Sequence, residues 1–147
     1  VVHVHERPYL HDFLHTVCRK YETHVFTAAM EIYAKPILDT LDPSGKLLAG
    51  RWYREHCVRS NQAFVKDLSF LEKPPERIVL VDNNPLSFLA NPNNGILVKS
   101  FYEDPSDTTL LGVLELLEEL DPHEDVRPHL ERKFELEDAL QELLLKS

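Results

Sequence analysis

The chain is 147 residues long, enough for one domain with a buried core, and 43% of its residues are hydrophobic, a globular share. A formal net charge of −9 argues against nonspecific nucleic-acid binding. Two cysteines, Cys18 and Cys57, in no short paired motif indicate neither a disulfide framework nor a zinc site, and a reducing compartment is the default. No apolar run approaches the ~18 residues of a membrane-spanning helix, and no signal or transit peptide stands at the start of this sequence, which also lacks an initiating Met.

Val1 to His5 alternates apolar and polar residues and predicts a strand. Pro8 opens a helix on which Leu10, Phe13, Leu14, Val17, Cys18 and Tyr21 recur at helical spacing. His24 to Thr27 predicts a short buried strand, and Ala29 to Leu41 a helix kinked at Pro36. After the turn Asp42-Pro43-Ser44-Gly45, Leu47 to Lys66 predicts alternating short strands that read as a β insertion. Arg77 to Asp82 predicts a strand buried on both faces, of the kind found in parallel sheets. Asn91 to Gly95 is a loop, Ile96 to Val98 a strand, Thr108 to Leu120 a helix. Val126 to Lys146 predicts one amphipathic helix with Leu136, Leu140, Leu143 and Leu144 on its apolar side. Strands alternating with helices predict an α/β domain with a doubly wound parallel sheet. Much of the acid lies at Glu118-Glu119, Asp121, Glu124-Asp125 and in the last helix, as on solvated helix faces or a surface for a basic partner.

The chemistry concentrates where strands end. Open parallel sheets bind ligands beyond the carboxyl ends of their strands. Val79-Leu80-Val81 runs into Asp82-Asn83-Asn84-Pro85, and Val25-Phe26 runs into Thr27. Between them lies Val65-Lys66-Asp67-Leu68. Singly, each signal has a plain reading: Asp-Asn-x-Pro is a turn, Thr27 an N-cap, Lys66 a surface lysine. In order, a hydroxyl, an ammonium, a carboxylate and an amide suit phosphate chemistry. The histidines offer pairs at His3/His5 and His11/His15, without a third convincing zinc ligand. His56 and Cys57 are strand neighbours that point apart, which excludes a Cys/His nucleophile.

Phe26-Thr27-Ala28, Lys66-Asp67-Leu68-Ser69 and Val81-Asp82-Asn83-x-Pro85 resemble motifs two to four of the FCP/SCP-type phosphatases of the haloacid dehalogenase superfamily. The resemblance runs from Arg7-Pro8 to about Arg127, so that residues 1–127 form the phosphatase-like domain, with 47–66 as its β insertion and 128–147 as a C-terminal amphipathic helix. Met30-Glu31-Ile32-Tyr33, Tyr53-Arg54-x-His56-Cys57, Asp104-Pro105-Ser106-Asp107-Thr108 and Asp125-Val126-Arg127 are most similar to the Dullard-like branch. Glu55-His56-Cys57 and Asp125-Val126-Arg127-Pro128 are also similar to the presequence-receptor subunit of the mitochondrial inner-membrane translocase, which uses this fold mainly for binding.

The resemblance implies a Mg²⁺-dependent protein serine/threonine phosphatase working through an aspartyl-phosphate. It assigns Thr27 and Lys66 to the phosphoryl group, Asp82 and Asn83 to the metal, and Arg54 to the substrate. It implies a lipin-type phosphoprotein substrate, a small membrane-anchored regulatory partner, and a place at the nuclear envelope and endoplasmic reticulum facing the cytosol. The second reading is a catalytically silent binding or scaffold subunit, as in mitochondrial import.

The family's first motif, Asp-x-Asp-x-Thr/Val, is absent, since no two aspartates are spaced i, i+2. In the family that motif carries the nucleophile on the central strand of the sheet, between the strands ending at Thr27 and Asp82. A preceding segment carrying it is therefore expected, because without it both strands would keep an unpaired edge. If the 147 residues were the whole protein, it would have no nucleophile and would be a binding remnant. Smaller departures are Tyr9 where Gly is common, Ala29 where Ser is common, and Asn84 in place of Ser or Thr.

Overall fold

The computed structural model describes residues 5–61 and 63–146. The strand expected over Val1 to His5 lies, except for His5, outside the described residues, as does the pair His3/His5. The chain divides into two compact units, one of residues 1–56 and 101–115, the other of residues 57–100 and 116–147.

In the first unit, Arg7-Pro8 leads to Tyr9, whose backbone is left-handed at φ 71°, and then to helix α1 (Leu10–Lys20). Strand β1 (His24–Phe26), helix α2 (Glu31–Leu41) and strand β2 (Gly50–Trp52) form a β-α-β unit in which β1 and β2 pair in parallel, Val25 opposite Arg51 and Phe26 opposite Trp52. Helix α2 lays Ala34 and Leu38 on Tyr53, with Val25, Ala29 and Leu41 packed around them. Pro36 sits inside α2 without ending it. The return loop hangs on Asp42, buried at 2% exposure, whose carboxylate accepts the N–H groups of Leu47 at 3.1 Å and Leu48 at 3.0 Å. Burial opposes ionisation of Asp42, but those two N–H groups and Arg51 outweigh it and hold its carboxyl below the usual range. Part of the segment Leu47–Lys66, expected as an insertion, is thus laddered to β1, and Tyr53 is core.

The second unit opens with the antiparallel hairpin β3 (Val58–Ser60) and β4 (Ala63–Val65). Strand β5 (Leu80–Asp82) pairs in parallel with β6 (Gly95–Leu97), Leu80 opposite Gly95 and Asp82 opposite Leu97. The connection between them is not an α-helix but two 3₁₀ turns, Pro85–Phe88 and Pro92–Asn94. Buried Asn94 pins it by donating its amide to the carbonyls of Pro75 at 2.7 Å and Ile78 at 2.9 Å. Among the described residues the strands form three two-stranded ladders, β1–β2, β3–β4 and β5–β6.

Helix α3 (Thr109–Leu120) begins in the first unit and ends in the second. The single C-terminal helix expected from Val126 to Lys146 is two helices, α4 (Arg127–Phe134) and α5 (Leu136–Leu145), broken at Glu135, whose φ is 49°. Phe134 and Leu136 both pack inward. In an unbroken helix, residues two apart lie about 200° around the axis and could not both do so. On α5 only Leu136 and Leu140 are buried, and Leu143 and Leu144 are exposed. Two clusters form this unit's core: Leu68, Leu80, Phe88, Leu136 and Leu140, and Ile96, Leu116, Leu120, Val126 and Leu130. Full burial of a side chain such as Phe88 contributes about 1.5–3 kcal/mol.

Candidate active site

In the second unit, Lys66 follows β4 and Asp82 ends β5. The Lys66 ammonium donates to Asp82 Oδ2, and both side chains are less than a tenth exposed. The other carboxylate oxygen, Oδ1, accepts the backbone N–H of Asn84 at 2.8 Å. The Lys66 backbone N–H donates to the Ser87 carbonyl at 3.0 Å, tying the end of β4 to the turn after β5. The Asn84 side chain in turn caps that turn, accepting from Leu86 N–H at 3.0 Å. A lysine is thereby held against a carboxylate at strand ends, where desolvation strengthens every charge interaction. This is the environment in which an ammonium neutralises an incoming oxyanion effectively.

Asn83 is exposed, and its amide nitrogen donates to Ser100 Oγ at 3.2 Å. That contact orients the amide so that its oxygen is the end available to a cation. Asp82 and Asn83 supply hard oxygen donors, the type Mg²⁺ prefers, and Mg²⁺ keeps several waters and substrate oxygens in its shell. The two residues therefore fit the ion by chemistry. Among the described residues no cluster of three or more His, Cys, Asp or Glu side chains could hold a metal, His11 and His15 included.

Thr27 and Arg54 belong to the first unit and converge on one turn. Thr27 continues the ladder, its N–H donating to the Trp52 carbonyl at 2.8 Å. Its hydroxyl oxygen accepts the N–H of Ala29 at 3.0 Å, as an N-terminal cap does. Arg54 is exposed, in the 3₁₀ turn Arg54–His56, and clasps the same turn through Nε on the Ala28 carbonyl at 2.7 Å and its N–H on the Ala29 carbonyl at 3.0 Å. Of the residues singled out from sequence, Lys66 and Asp82 are thus in direct contact and Thr27 and Arg54 share a turn. Thr27 makes the cap, and Lys66 is not a surface lysine.

Several supporting residues had no signal of this kind in the sequence. Ser87 and Ser100 act through a backbone carbonyl and a hydroxyl that no motif marks. Asn84 was legible: an acid followed two residues later by a backbone donor is an Asx turn. A further ion pair lies in the first unit. Arg7 donates from Nε and Nη2, each at 3.0 Å, to the two oxygens of Asp107, whose side chain is 2% exposed. Asp107 also caps α3, accepting the Thr109 N–H at 2.9 Å. Arg7 above all, helped by that cap, holds the Asp107 carboxyl far below the usual carboxylate range.

The chain is 42% identical over 131 residues to "CTD nuclear envelope phosphatase 1B" of Danio rerio, covering 89% of this chain and 54% of that protein. It is 39% identical over 125 residues to "Nuclear envelope morphology protein 1" of Schizosaccharomyces pombe, covering 85% of this chain and 26% of that one. The chain spans about half the length, or less, of these curated relatives. Among solved structures it is similar to "The Structure of Fcp1, an essential RNA polymerase II CTD phosphatase", with a TM-score of 0.54 and 27% identity, over 76% of this chain and 33% of that chain. The fold is accordingly of the haloacid dehalogenase type, built here from helices and small parallel ladders. The family model described as NLI interacting factor-like phosphatase matches residues 1–127, and the chain belongs to that family.

Proposed function

We propose that this chain is part of the catalytic domain of a Mg²⁺-dependent protein serine/threonine phosphatase that works through an aspartyl-phosphate. The observation that supports it most directly is the buried Lys66–Asp82 pair at the ends of β4 and β5. Phosphoryl transfer needs positioning and charge neutralisation more than covalent help from many groups. Lys66 neutralises the phosphoryl oxygens and the attacking carboxylate. Thr27 hydrogen-bonds a phosphoryl oxygen through its hydroxyl and the neighbouring backbone. Asp82 and Asn83 would hold the metal shell, and an ion bound there would supply positive charge against the phosphoryl group. Arg54 meets the substrate with a guanidinium suited to oxyanions. The nucleophile is an aspartate from a segment preceding Val1. Among the described residues β1 and β5 are each laddered to one strand only.

The place of action is the nuclear envelope and endoplasmic reticulum, and the names of the relatives support the first of these. The substrate is then a phosphoprotein of the lipin type, and the protein works with a membrane-anchored regulatory subunit. Among the described residues no helix is long and apolar enough to cross a membrane.

The test is hydrolysis of a phosphoserine peptide by the full-length protein with and without Mg²⁺. Metal-dependent turnover that Lys66→Met lowers by about 100-fold or more, in protein still folded at the assay temperature, is the expected result. Phosphopeptide binding without turnover would replace the enzyme reading with the silent binding subunit.

A further inference from the structure

The hairpin β3–β4 leads straight into Lys66, and its register puts Arg59 opposite Phe64. The Arg59 guanidinium lies over the Phe64 ring, 5.7 Å from its centroid. All three residues of β3 are exposed. Among the described residues Arg59 has no carboxylate partner, although the chain carries a net charge of −9. Arg7, Arg51, Arg77 and Arg127 each pair with an acid.

Opposed residues of an antiparallel pair share a face, and side chains alternate along a strand. Arg59 and Phe64 stand on one face of the hairpin, and Lys66 follows two residues after Phe64, just past the last paired residue, Val65. Continued by one residue, the same register makes Lys66 the diagonal neighbour of Arg59, a relation that spans about 7–8 Å between backbones. An extended peptide places side chains two residues apart on one face at about 7 Å. The two spacings match.

We propose that Arg59 reads the substrate sequence: it binds a carboxylate two residues from the phosphorylated serine or threonine while Lys66 meets the phosphoryl group. This rests on the phosphatase reading of the site. The Phe64 ring holds the guanidinium in place and lowers the entropic cost of capturing the acid. A guanidinium offers a carboxylate two parallel N–H donors, which a lysine cannot. The acidic surface repels acidic peptides in general, so Arg59 confines their acceptance to one register.

The experiment compares kcat/KM of the full-length protein on two phosphoserine peptides that differ only by Glu or Gln two residues from the phosphoserine. The wild type should favour the Glu peptide by about five- to tenfold, the scale of one exposed charge-assisted hydrogen bond. Arg59→Met keeps the aliphatic stem over Phe64 and should bring the ratio to unity with an unchanged melting temperature. Arg59→Lys should retain part of it. No preference in the wild type, or the same ratio in Arg59→Met, overturns the proposal. p-Nitrophenyl phosphate, which has no flanking residue, reports separately whether the wild type is a phosphatase. If it is not, fluorescence anisotropy of the same peptides decides: tighter binding of the Glu peptide, lost in Arg59→Met, upholds the role of Arg59, and equal binding in the wild type ends it.

Discussion

The Lys66 ammonium and the Asp82 carboxylate form an ion pair between two side chains that are each less than a tenth exposed, at residues sixteen positions apart in the chain. Removing one member leaves the other charge buried without compensation. Lys66→Met should therefore destabilise the protein by about 3–5 kcal/mol, as well as lowering turnover by about 100-fold or more. Loss of activity with an untouched fold, the expectation for an isolated lysine, does not apply to a buried pair. Adding Asp82→Asn should restore much of the stability, since the amide oxygen still accepts the Asn84 N–H, without restoring turnover. Urea denaturation of the two single variants and the double variant measures the coupling. Additive effects would show that the pair is not desolvated.

Arg7 and Asp107 predict an acid limit to stability. The folded carboxyl is held far below its ordinary value of about 3.9. Its contribution is complete above that value. As pH falls below about 4 the unfolded chain takes up a proton that the folded one refuses, and the contribution drains away. The melting-temperature gap between the wild type and Asp107→Asn should thus be full at pH 7 and shrink steadily below about pH 4. A gap independent of pH down to acid conditions would show that the ion pair is not its source.

Tyr9 carries φ 71° just before α1, makes no side-chain cap bond and is about half exposed at 47%. Left-handed backbone costs an L-residue about 1–2 kcal/mol, and glycine escapes that cost at the expense of a more flexible unfolded chain. Tyr9→Gly should raise stability by about 0.5–1 kcal/mol. A lower denaturation midpoint would mean that the ring's contacts outweigh the strain.

Gly95 opens β6 opposite Leu80. A Cβ there would stand 2.5 Å from a ring carbon of fully buried Phe88 and 2.8 Å from a methyl of Leu136. Gly95→Ala should destabilise by about 1–3 kcal/mol through overpacking. Phe88 also ends the turn that supplies the Ser87 carbonyl to Lys66. Differential scanning calorimetry checks the effect.

Much of this was readable one-dimensionally. Short apolar runs closed by Thr27 and by Asp82 marked β1 and β5, because an apolar run that ends in a turn residue has few other places to go. Helical spacing of Leu10, Val17 and their neighbours marked α1. The order hydroxyl, lysine, acid, amide marked the chemistry, and the resemblance to FCP/SCP-type phosphatases at those residues agrees with the family match. Tyr9 stands where glycine is common in the family, but only its dihedral angle explains why glycine suits the position.

What sequence determined by itself, then, was which segments are apolar, where they stop and which reactive groups stand at the stops, since these follow from local composition and period. Tertiary structure decided the rest. It paired β2 with β1, broke the last helix at Glu135 so that Phe134 and Leu136 could both turn inward, and buried Lys66 against Asp82. Each of these outcomes depends on contacts between residues distant in sequence or on the shape of the core, and neither quantity is contained in local propensity.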